Sequence, residues 1–195
     1  MARKQKARNL KKRRSVLIGA GPTEKAYIEH LTHLRGYQIE THPRFCKNDT
    51  PFYMDKYVQQ VLEDGGVAVC LYDEDESERS AKIQQKLEEF VAKYKNNSDV
   101  MLCGSMPSIE YWLLLHFEKT NRYFGTSKRV IKDLKKYMDF EKTEKFLAKS
   151  SWVETLLADG RMQKAMQNAD ELGTAGESYT KVPQAIRFLE KTKKK

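Results

Sequence analysis

Asp73, Glu74 and Asp75 follow directly on the run Val67-Ala68-Val69-Cys70-Leu71-Tyr72. The apolar run reads as a parallel-sheet strand buried on both faces. In such sheets ligands bind outside the carboxyl ends of the strands. Two aspartates at i and i+2 on an extended segment can turn toward one cation, and their hard oxygens suit Mg²⁺ or Mn²⁺. The plain alternative is a solvated acidic loop. The density of acids at the end of a buried strand favours the metal.

A second candidate lies in Ser105-Met106-Pro107-Ser108-Ile109-Glu110-Tyr111-Trp112. Glu110 falls in the first turn of an otherwise apolar helix, where the helix dipole stabilises a carboxylate. It reads equally as a capping-box residue reaching back toward Met106 or Pro107, and as a functional acid. Pro107 suits the first helical position, which makes Ser108 a poor cap. His116, at the end of the apolar helix, reads as structural.

The third is Leu17-Ile18-Gly19-Ala20-Gly21-Pro22-Thr23-Glu24, a strand running through a tight turn into a helix. It lacks the lysine and spacing of a phosphate-binding loop, and Glu24 stands where a dinucleotide fingerprint needs glycine. On its own it is a turn that lets two chain segments approach closely.

These residues need elements to hold them. Ser15 to Gly19 predicts a strand, and Pro22 opens a helix to about Arg35. Tyr37 to Cys46 predicts a second strand. Asn48-Asp49-Thr50-Pro51 signals a helix start, with Thr50 as cap, and Gly65-Gly66 ends that helix. A charged helix over about 78–95 and a strand at Val100-Met101-Leu102-Cys103 follow, then the helix opened by Pro107. Strands alternating with helices predict an α/β parallel-sheet core with helices on both faces over 15–118. Beyond about 120 the strand signal stops. Amphipathic stretches at 127–138, 141–148, 152–158, 161–171 and 182–191 predict a helical C-terminal part over 119–190, packed on the core.

The net charge of +9 needs locating. Residues 1–14 hold eight Lys or Arg and no acid, and 191–195 hold four more. The remaining body has 24 basic against 27 acidic residues. The expectation is a mildly acidic body between a basic flexible arm (1–14) and a basic tail (191–195). Lys11, Lys12, Arg13 and Arg14 are then candidates for phosphate-backbone contacts. Whether the folded body also carries a basic face does not follow from total charge. Cys46, Cys70 and Cys103 lie apart in strand-like stretches and read as reduced core thiols of a cytoplasmic protein. No apolar run reaches the ~20 residues of a membrane helix, and no secretory signal follows the basic start.

Taken together, Gly21-Pro22-Thr23-Glu24, Asp73 with Asp75, and Ser105, Pro107, Glu110 and Trp112 through Phe117 resemble the RloB-like proteins. Lys142-Thr143 and Tyr179-Thr180-Lys181-Val182 resemble that family's tail. The resemblance covers about 15–190. It implies a Toprim-like core and a metal-dependent nuclease associated with bacterial phage defence and abortive infection. The substrate would be RNA (possibly tRNA) or DNA. Asp73 and Asp75 would hold Mg²⁺ or Mn²⁺, Glu24 and Glu110 would be further catalytic carboxylates, and Lys142 would stabilise charge on the phosphate. Control would come from an ABC-type or OLD-like ATPase partner, since this chain has no Walker motif. The family's catalytic glutamate falls on Ala20, which can neither bind metal nor move a proton. Two readings stay open: a chain disarmed at one position, or a member that binds without cutting, a nucleic-acid- or protein-binding module on the same fold.

Overall fold

In the computed structural model, residues 13–19, 21–41, 50–75 and 80–193 are described. Ala20, Lys11, Lys12, Cys46, Asn48, Asp49 and Glu76 lie outside them, as does the end of the tail.

The core is a five-stranded sheet: β1 (Ser15–Gly19), β2 (Glu40–Thr41), β3 (Val67–Asp73), β4 (Val100–Met106) and β5 (Tyr179–Thr180). The order is β2-β1-β3-β4-β5. The first four strands run parallel, and β5 is antiparallel to β4. This is an α/β fold consistent with a Toprim-like core. The central β3 has the register expected of a strand buried on both faces. Val69 and Leu71 join one apolar cluster, while Ala68, Cys70 and Tyr72 join the other.

Two helices cover the second face: α2 (Thr50–Glu63) and α3 (Ala81–Tyr94). The first face carries α1 (Pro22–Arg35) and α4 (Ile109–Leu114), then α5 (Ser127–Leu134), α6 (Glu144–Leu147), α7 (Ser151–Leu157), α8 (Arg161–Leu172) and α9 (Val182–Glu190). Val130, Trp152, Leu156, Ala165 and Ile186 from this C-terminal part share one buried cluster with Leu17, Leu71 and Trp112. No helix among the described residues is long and apolar enough to cross a membrane.

Three sequence expectations need correction. β5 lies beyond residue 120, where strands were not expected. At two residues it is too short to show alternation, and its pairing to Ser105 and Met106 is long-range. The expected strand from Tyr37 is formed, among the described residues, only at Glu40–Thr41. The helix at Pro107 begins two residues later. Ser108 takes the cap position with an extended backbone (φ −159°).

One buried and one part-buried contact fix α1 against its neighbours. Trp112 Nε1 donates to the Tyr27 hydroxyl at 2.9 Å, both side chains fully buried. His30 Nε2 lies 2.7 Å from the Leu147 carbonyl. Burial pushes the Tyr27 hydroxyl pKa up, against the Trp112 hydrogen bond, which lowers it. Cys70 and Cys103 are buried free thiols, also raised by desolvation, Cys103 to about 12. Such thiols behave as small apolar side chains.

Tyr27→Phe removes one oxygen and strands the Trp112 N–H in the core. The expected cost is about 1–3 kcal/mol in urea unfolding. Tyr53→Phe, at a position 40 % exposed, is expected to stay within about 0.5 kcal/mol. Equal effects at the two positions would show that the Trp112–Tyr27 bond contributes nothing.

Candidate active site

The parallel register of β1, β3 and β4 brings their carboxyl ends to one sheet edge. Gly19 pairs with Leu71, and Asp73 with Ser105. Past β3 the chain stays tied to the end of β4, because the Glu74 N–H donates to Ser105 O (2.8 Å) and the Asp75 N–H to Pro107 O (3.0 Å). Glu74 turns away from its neighbours, across the bare Cα of Gly104. A Cβ there would fall 1.6 Å from Glu74 Oε1. Tyr179 donates to Glu74, and Lys181 Nζ lies 3.8 Å from it. The C-terminal stretch Tyr179-Thr180-Lys181 thus serves this edge, with Thr180 sharing a 2.8 Å hydrogen bond with Ser105.

Asp73 Oδ1 accepts the Ile109 N–H at 2.9 Å. That N–H belongs to the first turn of α4, whose amides have no partner within the helix. Asp73 provides the cap that the Ser108 side chain does not. Ser108 Oγ donates instead to Glu110 Oε2 at 2.7 Å. Glu110 is fully buried, and its other oxygen pairs with Lys142 Nζ at 3.0 Å. The capping-box reading of Glu110 therefore needs correction: its carboxylate bonds Ser108 Oγ and Lys142 rather than reaching back to Met106 or Pro107.

Glu24 lies in the first turn of α1, 3 % exposed. Gly21, the residue before the helix, is extended (φ −145°), so backbone strain does not require glycine there. Close approach does, since a Cβ on Gly21 would stand 2.8 Å from Glu24 Oε2. The Glu24 pKa is pushed well above the ordinary carboxylate value, by desolvation first, then by Asp73 and Glu110. Burial opposes the Lys142 charge. Glu110, Asp73 and Glu24 outweigh it and hold the ammonium pKa above its ordinary value.

Four sequence candidates are thus together: Glu24, Asp73, Glu110 and Lys142. Asp75 is buried next to them along the chain (7 % exposed). Ala20 lies outside the described residues, between Gly19 at the end of β1 and Gly21. Arg13 and Arg14 stand at the opposite end of the sheet. Arg13 binds the Gly65 and Gly66 carbonyls and Asp99, while Arg14 pairs with Glu40 and Asp64. They tie down the segments preceding β3 and β4. His116 is buried and neutral, its pKa lowered to about 4 by desolvation, with Nδ1 3.0 Å from Trp112 O. Ser108 was missed as a site residue. The only sequence signal for Ser108 was its place two residues before Glu110.

Among the described residues no three His, Cys, Asp or Glu side chains stand as a ready-made ligand set. The chemistry of the corner nevertheless fits a hard cation. Three carboxylates face one ammonium, their donors are all oxygen, and Glu24 is destabilised as an anion by its neighbours.

The raised Glu24 pKa has a consequence for stability. The folded state holds this proton to higher pH than the unfolded chain, so deprotonation favours unfolding as pH rises above the ordinary value of 4.5. Glu24→Gln removes the effect. With chelator present, urea unfolding of the variant and the parent should agree near pH 4 and diverge toward pH 7.5, the variant becoming relatively more stable. A constant difference over that range would contradict the assignment.

No match was found among curated proteins or among solved structures. A scan against protein-family models matches the RloB-like protein family over residues 16–189, from the second residue of β1 to the last turn of α9. With that match spanning nearly all of the chain and every site element described above, the protein belongs to the RloB-like family.

Proposed function

We propose that this chain is built as a metal-dependent nuclease that cleaves phosphodiester bonds of RNA, possibly tRNA, or of DNA. One observation carries the reading: the buried Glu24 and Glu110 and the half-buried Asp73 gather at the strand ends around Lys142. A purely structural corner has no use for so much like charge, because burying uncompensated carboxylates is costly. A site that handles a cation and a phosphodiester does.

Asp73 and Asp75 would hold Mg²⁺ or Mn²⁺, which when bound supplies charge neutralisation at the scissile phosphate and a more acidic water. Glu24, held toward its protonated form, is suited to give or take a proton there. Ser108 and Lys142 orient Glu110 from its two oxygens. The Lys142 side chain is still 38 % exposed, so its ammonium can leave Glu110 for a phosphate oxygen. The wider role follows the family: an effector of bacterial anti-phage defence, acting in the cytoplasm with an ATPase partner of the ABC or OLD type. Ala20 specifically favours a second reading, a module that binds without cutting.

Ala20→Glu tests both. The variant should cleave single-stranded RNA or DNA with Mg²⁺ or Mn²⁺ at a rate about 10²–10⁴ times that of the parent chain, the usual contribution of one positioned proton carrier. Adding Asp73→Asn should abolish the gain. If Ala20→Glu cuts neither nucleic acid, even with an ATPase partner of the ABC or OLD type present, the nuclease reading fails and the binding module stands.

A further inference from the structure

The charge of the folded body is strongly segregated. Residues 118–137 carry seven Lys or Arg against two acids, Glu118 and Asp133. The rest of 15–190 has 17 basic against 25 acidic residues. The basic stretch is α5 and its flanking turns. Val130 and Leu134 bury the inner face of α5 in the core. Lys128, Arg129, Lys132, Lys135 and Lys136 are exposed on and just after the helix. The acid within the helix, Asp133, is 8 % exposed and drawn inward between Arg122 and Lys136. The outer face of α5 therefore presents cations and no exposed acid.

Aromatic rings flank these cations. Tyr123 is 62 % exposed, the highest among the exposed large apolar side chains of the described residues, and Tyr137 is 45 % exposed. Tyr123 lies over Gly125, where a Cβ would meet its ring at 3.2 Å. Tyr137 stacks on Phe117 with centroids 5.3 Å apart and planes 5° from parallel, and Arg161 lies against Phe117. One end of the basic stretch reaches the sheet edge that holds the carboxylates, and the chain returns to it five residues beyond the other end. The Arg122 carbonyl accepts from Ser178 Oγ at 2.8 Å, one residue before β5. Lys142, beyond the other end, binds Glu110.

We infer that the outer face of α5, with Tyr123 and Tyr137, is the docking surface for single-stranded nucleic acid. This rests on the nuclease reading and deepens it by naming the strand form and the path to the corner. Phosphates run along the α5 cations, and unpaired bases stack on the two tyrosines. A solvated lysine helix explains the cations but not the exposed rings beside them. An acidic protein would use the charges, and a duplex would use them too, but neither offers unstacked bases.

The test is fluorescence anisotropy of labelled 12-nucleotide oligo-U and oligo-dT against the full chain, with chelator present so that cleavage plays no part. The double variant Lys128→Glu/Lys132→Glu should weaken binding at least tenfold and flatten the salt dependence by a slope of about one to two. Tyr123→Ala should weaken single-strand binding fivefold or more and leave duplex binding unchanged. Far-ultraviolet circular dichroism and thermal melting establish that both variants fold. Wild-type affinity in the charge-reversal variant, or loss of all binding on removing residues 1–12 alone, overturns the proposal. So does competition by polyglutamate as effective as by oligo-U, with Tyr123→Ala silent, which would point to an acidic protein. If Ala20→Glu fails to cut while α5-dependent binding persists, the nuclease reading falls and the docking surface remains.

Discussion

Three carboxylates gathered in one corner, Glu24 and Glu110 buried and Asp73 half-buried, repel each other and cannot all be charged without compensation. The surroundings of Glu24, Asp73 and Glu110 answer that constraint residue by residue. Asp73 takes an amide from the first turn of α4. Glu110 takes a hydroxyl and an ammonium. Glu24, left with the weakest compensation, has the raised pKa. Glycine at 21 is part of the same answer, since it makes the room that the Glu24 carboxylate occupies.

The rest of the fold exists to hold these groups at one sheet edge. Parallel β1, β3 and β4 end together, so side chains distant in sequence arrive side by side. The helices that carry Glu24 and Glu110 are joined by the buried Trp112–Tyr27 hydrogen bond. The C-terminal part is no separate appendage to this site. It shares the apolar cluster on the first face, supplies Lys142 to Glu110, and lays Tyr179 and Lys181 on Glu74. Glu74 and its neighbours Asp73 and Asp75 thus divide their work. The middle acid fastens the edge to β5, and Asp73 faces the corner.

Charge organises the exterior as it does the interior. The arginines at 13 and 14 are engaged in anchoring the starts of strands, at the far end of the sheet from the carboxylates. The basic surface near the corner comes instead from α5, whose only acid is turned inward. A chain whose body is slightly acidic overall can therefore still present a concentrated positive face next to an acidic site.

Much of this was legible in the sequence where the signal was local. The unbroken apolar run of β3 identified a strand buried on both faces. Pro22 placed the start of α1, and the acids after Tyr72 marked the edge where chemistry belongs. The family resemblance, carried by short motifs, singled out Glu24, Glu110 and Lys142. What sequence could not supply was pairing. β5 is two residues long and exists only because β4 lies beside it. Ser108 looked like an indifferent cap, and its bond to Glu110 depends on Asp73 taking the cap role from another strand. The +9 net charge said nothing of where a basic face would form. Local pattern determined the elements and the chemical types at their ends. Which carboxylates meet, which cation compensates them, and which charges reach the surface were decided by the tertiary fold, because each depends on groups brought together from opposite ends of the chain.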